Sequence, residues 1–258
     1  LTSAVDGSGA GAKRSNPAVM IAVDGTSGSG KSSTCREVAL RLGGRYIDTG
    51  AMYRAITWWM LQQGVDPQDS AAIIAAIEAV QDEHGSRVQP RLETDPSNPR
   101  VWMGNTDVTD EIRSSAVSSA VSAVSAVPEV RNLLIDTQRR LAESALAQGL
   151  CVVMEGRDIG SFVMPNADLK IFLTADEQVR AQRRLAEDTA RGTVIADDQD
   201  ADAEATTRAH LAERDHRDSS RKASPLTLAS DAITIDGTRL SLPEVVDLIL
   251  QQLASDRP

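Results

Sequence analysis

Val19-Met-Ile-Ala-Val-Asp24 runs without a break into Gly25-Thr-Ser-Gly-Ser-Gly30-Lys31-Ser32. A short apolar run that stops abruptly at a Gly/Ser-rich turn reads as a buried parallel strand. The turn fits G-x-x-x-x-G-K-[ST], and the helical pattern Ser33 to Leu42 follows it, so the motif has a strand before it and a helix behind it. Gly25, Gly28 and Gly30 open backbone torsions closed to other residues. Successive N–H groups can then turn inward around phosphates, with the positive end of the next helix behind them. In such a loop Lys31 neutralises the β and γ phosphates of a nucleoside triphosphate, and the Ser32 hydroxyl ligates magnesium. The candidate cradle is Gly25, Thr26, Ser27, Gly28, Ser29, Gly30, Lys31, Ser32 and Ser33. By itself the motif does not name the acceptor, because switches, motors and small-molecule kinases all carry it.

Two further apolar runs, Leu150 to Glu155 and Leu169 to Thr174, match the first; Ala232 to Asp236 is weaker and Arg45 to Asp48 is short. Helical stretches separate them. This alternation predicts an α/β fold of the P-loop NTPase type, three layers with a central parallel sheet between helices. Thr174 with Glu177, and Ser241 with Glu244, have capping-box spacing, and Pro243 falls in the first turn of the last helix. Val117, Val121, Val124 and Val127 recur at helical spacing in a Ser/Ala/Val-rich stretch, which predicts a packed helix; Pro128 opens another through Arg131 and Leu141.

Between Pro67 and Ser115 the rhythm breaks, and Gly104-Asn105 between Arg100–Met103 and Thr106–Val108 suits a tight hairpin. A second irregular stretch, Arg183 to Arg221, is dense in both signs of charge and reads as a solvated helical excursion. With 258 residues, one domain with inserts is expected. The core takes 18–66, 129–182 and 222–258, an insert takes 67–128 and the excursion 183–221; 1–17 is too polar and too rich in Gly and Ser to bury much surface and reads as a disordered tail.

Aromatics are only 3% of the chain, so the core must be aliphatic. The net charge of -10 argues against a nucleic-acid partner, which calls for clustered Lys and Arg. A small anion needs only a few arginines in one cleft. Cys35 and Cys151 are too few for a disulfide framework or a cysteine zinc site and read as reduced. Without an apolar run long enough for a membrane span, or a secretory stretch, a cytoplasmic protein is expected. The absence of a long coiled-coil or repeat pattern suggests a monomer. His84, His210 and His216 lack metal-ligand spacing, and neither a G-x-S-x-G elbow nor an N-K-x-D guanine-reading segment is found.

Four segments bear on the acceptor. Asp48-Thr49-Gly50-Ala51-Met52-Tyr53-Arg54 follows a strand at the carboxyl edge, where open α/β sheets bind ligands. Arg54 can grip a phosphate bidentately; Tyr53 either packs on a substrate or belongs to the core. Gly156-Arg157-Asp158-Ile159-Gly160 leaves another strand at the same edge, where Arg157 suits a phosphate. Asp158 can accept from an exocyclic amine, the group that separates cytosine from uracil, or hold the turn in an internal ion pair. Glu155 can hold a magnesium-bound water or simply end its strand. Glu213-Arg214-Asp215-His216-Arg217-Asp218-Ser219-Ser220-Arg221 carries three arginines in eight residues, a density suited to stabilising a transferred phosphoryl group.

Together, in this order, these segments resemble bacterial cytidylate kinases of the nucleoside monophosphate kinase superfamily, over roughly Val19 to Leu253. The resemblance implies ATP and Mg2+ as cofactors, CMP or dCMP as acceptor, an acceptor-binding insert and a closing lid. It implies that Lys31, Arg157, Arg214 and Arg217 serve catalysis, and that Arg54 and Arg157 bind the acceptor phosphate. Ser122, Arg131, Asp158 and Arg221 would hold the cytosine, Arg214 and Asp218 would approach the ribose, and Thr49 and Tyr53 would line the substrate. Two departures stand out: Thr49 where many relatives have serine, and Glu155 where aspartate is commoner.

Overall fold

The computed structural model describes residues 18–79, 89–190, 201–221 and 226–255. The expected tail 1–17 and His84 lie outside these residues, as do parts of the insert and excursion at 80–88 and 191–200. Five strands form one parallel sheet: β1 (Met20–Gly25), β2 (Arg45–Asp48), β6 (Val152–Glu155), β7 (Leu169–Thr174) and β8 (Ile233–Asp236), in the order β2-β6-β1-β7-β8. The order reverses at β1, which lies between β6 and β7. The loop after β1 therefore opens at a switch point, where connections diverge to opposite faces and leave a crevice.

Period-two alternation decides which side chains face which layer. Ile21 and Val23 of β1 join Val153, Ile171, Cys35 and Val38 of α1 (Lys31–Leu42), and Val246 and Ile249 of α8 (Leu242–Ser255). Met20 and Ala22 face the other way, against Met154, Ile47, and Ile135 and Ala142 of α5 (Pro128–Ala147). These layers are almost wholly aliphatic, as the low aromatic content requires. Both cysteines are buried and unpaired.

A third cluster joins α2 (Thr49–Gln62) to the region where the rhythm breaks. Ala55, Ile56 and Met60 pack on Ile73 and Ile77 of α3 (Ser70–Ala79), and on Val101 and Met103 of β4 (Arg100–Met103). β4 pairs antiparallel with β3 (Pro90–Glu93) and β5 (Thr106–Asp107), and Gly104, with φ 59°, makes the expected turn. Val117, Val121 and Val124 of α4 (Ser115–Val124), and Val127 beyond it, are all buried. α3 and β3 were not legible in the sequence. α3 is apolar almost all round, without a clear helical stripe, and β3 is four residues opened by a proline.

Helix ends follow local chemistry with one correction. At α8, Glu244 Oε2 accepts from the Ser241 backbone N–H at 2.7 Å and from its hydroxyl at 2.6 Å, as the spacing predicts. Thr174 does not cap α6 (Glu177–Ala190), because it is the last residue of β7. Asp176 takes the cap, its carboxylate accepting from Gln178 N–H at 2.8 Å. The charged excursion is helical, in the C-terminal part of α6 and in α7 (Ala201–Ser219), but it is not solvated all round: Leu211 and Asp218 are buried. Among the described residues, no helix is long and apolar enough to cross a membrane.

Candidate active site

β1 ends at Gly25, where a Cβ would lie 1.9 Å from the Leu173 carbonyl oxygen, so only glycine lets the chain turn there. Gly30, left-handed at φ 89°, opens α1. Lys31 is buried and donates to the loop's own Gly25 and Thr26 carbonyls at 3.0 and 2.6 Å. Burial, and then the Arg157 charge, pull its pKa down to about 7 against the pull of Glu155 and Asp215. Ser29 Oγ donates to the Thr26 carbonyl at 2.9 Å, while the Thr26 hydroxyl is buried without a partner. Ser32 and Ser33 are exposed and line the cleft, as do Ser27, Gly28, Ser29 and Gly30.

Arg157 reaches straight to this loop. Its Nη1 donates to the Gly25 carbonyl at 2.6 Å, Nη2 to Ser27 Oγ at 2.7 Å, and Nε to Asp218 of α7 at 2.9 Å. Burial opposes its charge, but Asp218 and Asp215 outweigh it and hold the guanidinium above its ordinary pKa. Asp24, the last polar residue of β1, accepts from the Ile159 and Gly160 N–H groups, each at 2.8 Å, and so fixes the turn that carries Arg157.

Asp48 and Glu155 stand side by side in the register of β2 and β6. Asp48 caps α2, accepting from Ala51 N–H at 2.9 Å, and pairs with Arg113 at 2.9 Å. Glu155 accepts from the Tyr46 hydroxyl. Burial, then Asp48, push its pKa up to about 7, while Lys31, Tyr46 and the Ser32 hydroxyl act the other way. Thr49 Oγ1 donates to the Glu155 carbonyl at 2.7 Å, so its hydroxyl is committed to backbone even though the residue lines the cleft.

Across the cleft, Arg54 is 4% exposed and donates to the Ile112 carbonyl and to Ser118 Oγ, each at 3.0 Å. Burial, and then Arg214, Arg113 and Arg184, hold it well below the ordinary arginine pKa. Asp158 is paired, but with Arg131 of α5 rather than with its neighbour Arg157. Arg131 lies over the Tyr53 ring, 5.7 Å from its centroid. The Tyr53 ring belongs to the core cluster, and the residue also lines the cleft. Asp218 accepts from Arg157, from Arg221 and from Ser122 Oγ at 3.4 Å, and Arg221 also donates to Ser125 Oγ at 2.8 Å. Arg214 Nε is buried without a partner, and burial, then Arg157, lower its pKa to about 10.

One cleft of about 1120 Å³ therefore unites the loop, Arg54, Arg131, Arg157, Arg214 and Arg221. Arg217 stands apart: it borders the cleft but is half-exposed and paired with Glu213. His210 and His216 are exposed. No local signal marks Tyr46, Arg113, Arg180 or Asp215, because each acts through a partner far away in the chain. Arg184, which pairs within its own helix with Glu187 and Asp188, was not singled out either.

A parallel sheet whose central strand opens into a glycine-lined phosphate loop, faced by buried arginines, defines the class of P-loop nucleotide-binding α/β proteins. A family model described as cytidylate kinase matches residues 21–255. The chain belongs to the cytidylate kinase family. It is 47% identical over 247 residues to a protein named cytidylate kinase from Streptomyces avermitilis, covering 96% of this chain and 97% of that one. A Streptomyces coelicolor protein of the same name matches to the same extent, and one from Rhodococcus opacus is 45% identical over 92% of this chain and 95% of its own length.

Proposed function

We propose that this protein transfers the γ-phosphoryl group of ATP to CMP or dCMP, giving ADP and CDP or dCDP. The observation that carries the reading is a set of buried or half-buried, mutually repelling cations beside the phosphate loop. Burial and then neighbouring guanidinium charges lower the pKa of Lys31, Arg54 and Arg214. Protein interiors tolerate such a cluster where an anion offsets it, and two phosphate-bearing substrates would do so.

In this reading the loop 25–33 holds the donor. Arg54 and Arg157 hold the acceptor phosphate, one of whose oxygens attacks the γ-phosphorus as the bond to the β–γ bridging oxygen breaks; that oxygen leaves with ADP. The acceptor is already an anion, so positioning and charge neutralisation supply the rate. Arg131 and Asp158, with Ser122 and Arg221, present donors and an acceptor suited to a cytosine edge, and Asp218 and Arg214 approach the ribose. Segment 67–128 serves as the acceptor-binding insert and 183–221 as the lid, from which Arg217 would turn inward on closure. A working monomer belongs to this reading, and two buried thiols suit the reducing cytoplasm.

The donor set fits magnesium. The Ser32 hydroxyl acts on the Glu155 carboxyl, with Asp48 beside it, all hard oxygen groups. A hard divalent cation of this kind keeps several waters and takes phosphate oxygens beside one or two protein oxygen ligands. Bound there, magnesium would neutralise charge on the β and γ phosphates.

Coupled ADP release with CMP, dCMP and UMP tests the proposal. ADP release dependent on CMP or dCMP is expected, with Lys31→Ala at least ~100-fold slower and still folded. No acceptor-dependent release would refute the kinase reading, and a preference for UMP would refute the cytosine assignment.

A further inference from the structure

Asp215 does not line the cleft, yet it touches the phosphate loop. One carboxylate oxygen accepts from the Ser27 backbone N–H at 2.9 Å, and the other pairs with Arg180 Nη1 at 2.5 Å. The same Nη1 donates to the Ser27 carbonyl at 2.9 Å, and Arg180 Nε donates to the Ala175 carbonyl at 3.1 Å. Arg180 is 5% exposed. One turn earlier on α7, Leu211 packs on Gly28, where an added Cβ would lie 3.3 Å from Leu211 Cδ1 and 2.9 Å from the Arg180 carbonyl oxygen.

We propose that Asp215 and Arg180 form a clasp that fixes α7 against the phosphate loop, making Asp215 a positioning residue for phosphoryl transfer. A carboxylate beside an anion-binding loop works against phosphate binding by charge alone. Its gain is geometric. Ser27 is the shared point: its backbone is held by the clasp and its side chain by Arg157. Arg214 and Asp218, at i-1 and i+3 from Asp215, are set on the helix by the same anchor. Arg217, by contrast, pairs with the half-exposed Glu213 one turn earlier on α7. The clasp thus registers the arginines of α7 with the loop that holds the donor.

The inference rests on the kinase reading and is tested beside it. Steady-state transfer from ATP to CMP is measured for the wild type and for Asp215→Asn, which keeps an acceptor for Ser27 but loses the charge. Melting curves fix a temperature at which both are folded. The expected result is a kcat at least tenfold lower with the KM for ATP unchanged or lower, the opposite of losing a phosphate ligand. Arg180→Lys should fall in the same direction, and the double variant should be no slower than the worse single one. A kcat for Asp215→Asn within twofold of the wild type overturns the clasp, as does a raised KM for ATP with kcat retained. A wild type that transfers nothing to CMP fails the functional reading instead.

Discussion

Asp24 shows how burial and hydrogen bonding compete at one carboxyl. Burial pushes its pKa up to about 6, although the Ile159 and Gly160 N–H groups act downward. A raised carboxyl pKa means the folded state binds the proton more tightly than the unfolded chain. The stability it contributes is fully present below about pH 4 and is lost as the pH rises through 6. Denaturant titrations from pH 4 to 7.5 should show the wild type losing stability relative to Asp24→Asn as the pH rises from about 4 to about 6; a relative stability independent of pH would contradict the assignment. Arg157 is the other decisive residue, since its three side-chain nitrogens tie the phosphate loop, at Gly25 and Ser27, to Asp218 of α7. Arg157→Lys keeps the charge but loses the fork, and a fall of at least ~100-fold in kcat/KM for CMP is expected from coupled assays. Lys31 and Arg157 were readable because each sits inside a short motif at a strand end. The partners that tune them, Asp215 and Asp218, are more than 50 residues away.

The elements were legible where the pattern was local. β2 and β7 coincide with the apolar runs read from the sequence, and β1, β6 and β8 fall within about two residues of theirs. The insert was harder: a three-stranded antiparallel sheet this small is stabilised by packing on α2, not by its own periodicity. Thr174 misled for a related reason, because strand pairing with β8 outcompetes a cap at the sheet's edge. Where α1 hands over to β2 the backbone passes very close to β6, and a Cβ on Gly44 would lie 2.5 Å from the Cys151 carbonyl oxygen. Gly44→Ala should therefore cost about 1–3 kcal/mol in chemical denaturation. An unchanged midpoint would show that the strands can separate to accommodate a methyl group.

The whole molecule holds a cation-lined cleft in a chain of net charge -10. Buried like charges oppose folding until ligands neutralise them, so stability is given up for function. Arg54→Met should raise the melting midpoint of the ligand-free protein while abolishing the further rise that CMP gives the wild type; a lower ligand-free midpoint would mean the hydrogen bonds to Ile112 and Ser118 outweigh the repulsion. By itself the sequence determined the parallel α/β core, the phosphate loop and several of the arginines that line the cleft, because apolar period and glycine spacing act over a few neighbouring positions. The tertiary structure alone decided that Asp158 pairs with Arg131, that Arg157 pairs with Asp218, and that Asp215 closes on Ser27. Those pairings depend on which charged groups the packed helices bring within about 3 Å of each other, and a distance between remote segments exists only once the chain has folded.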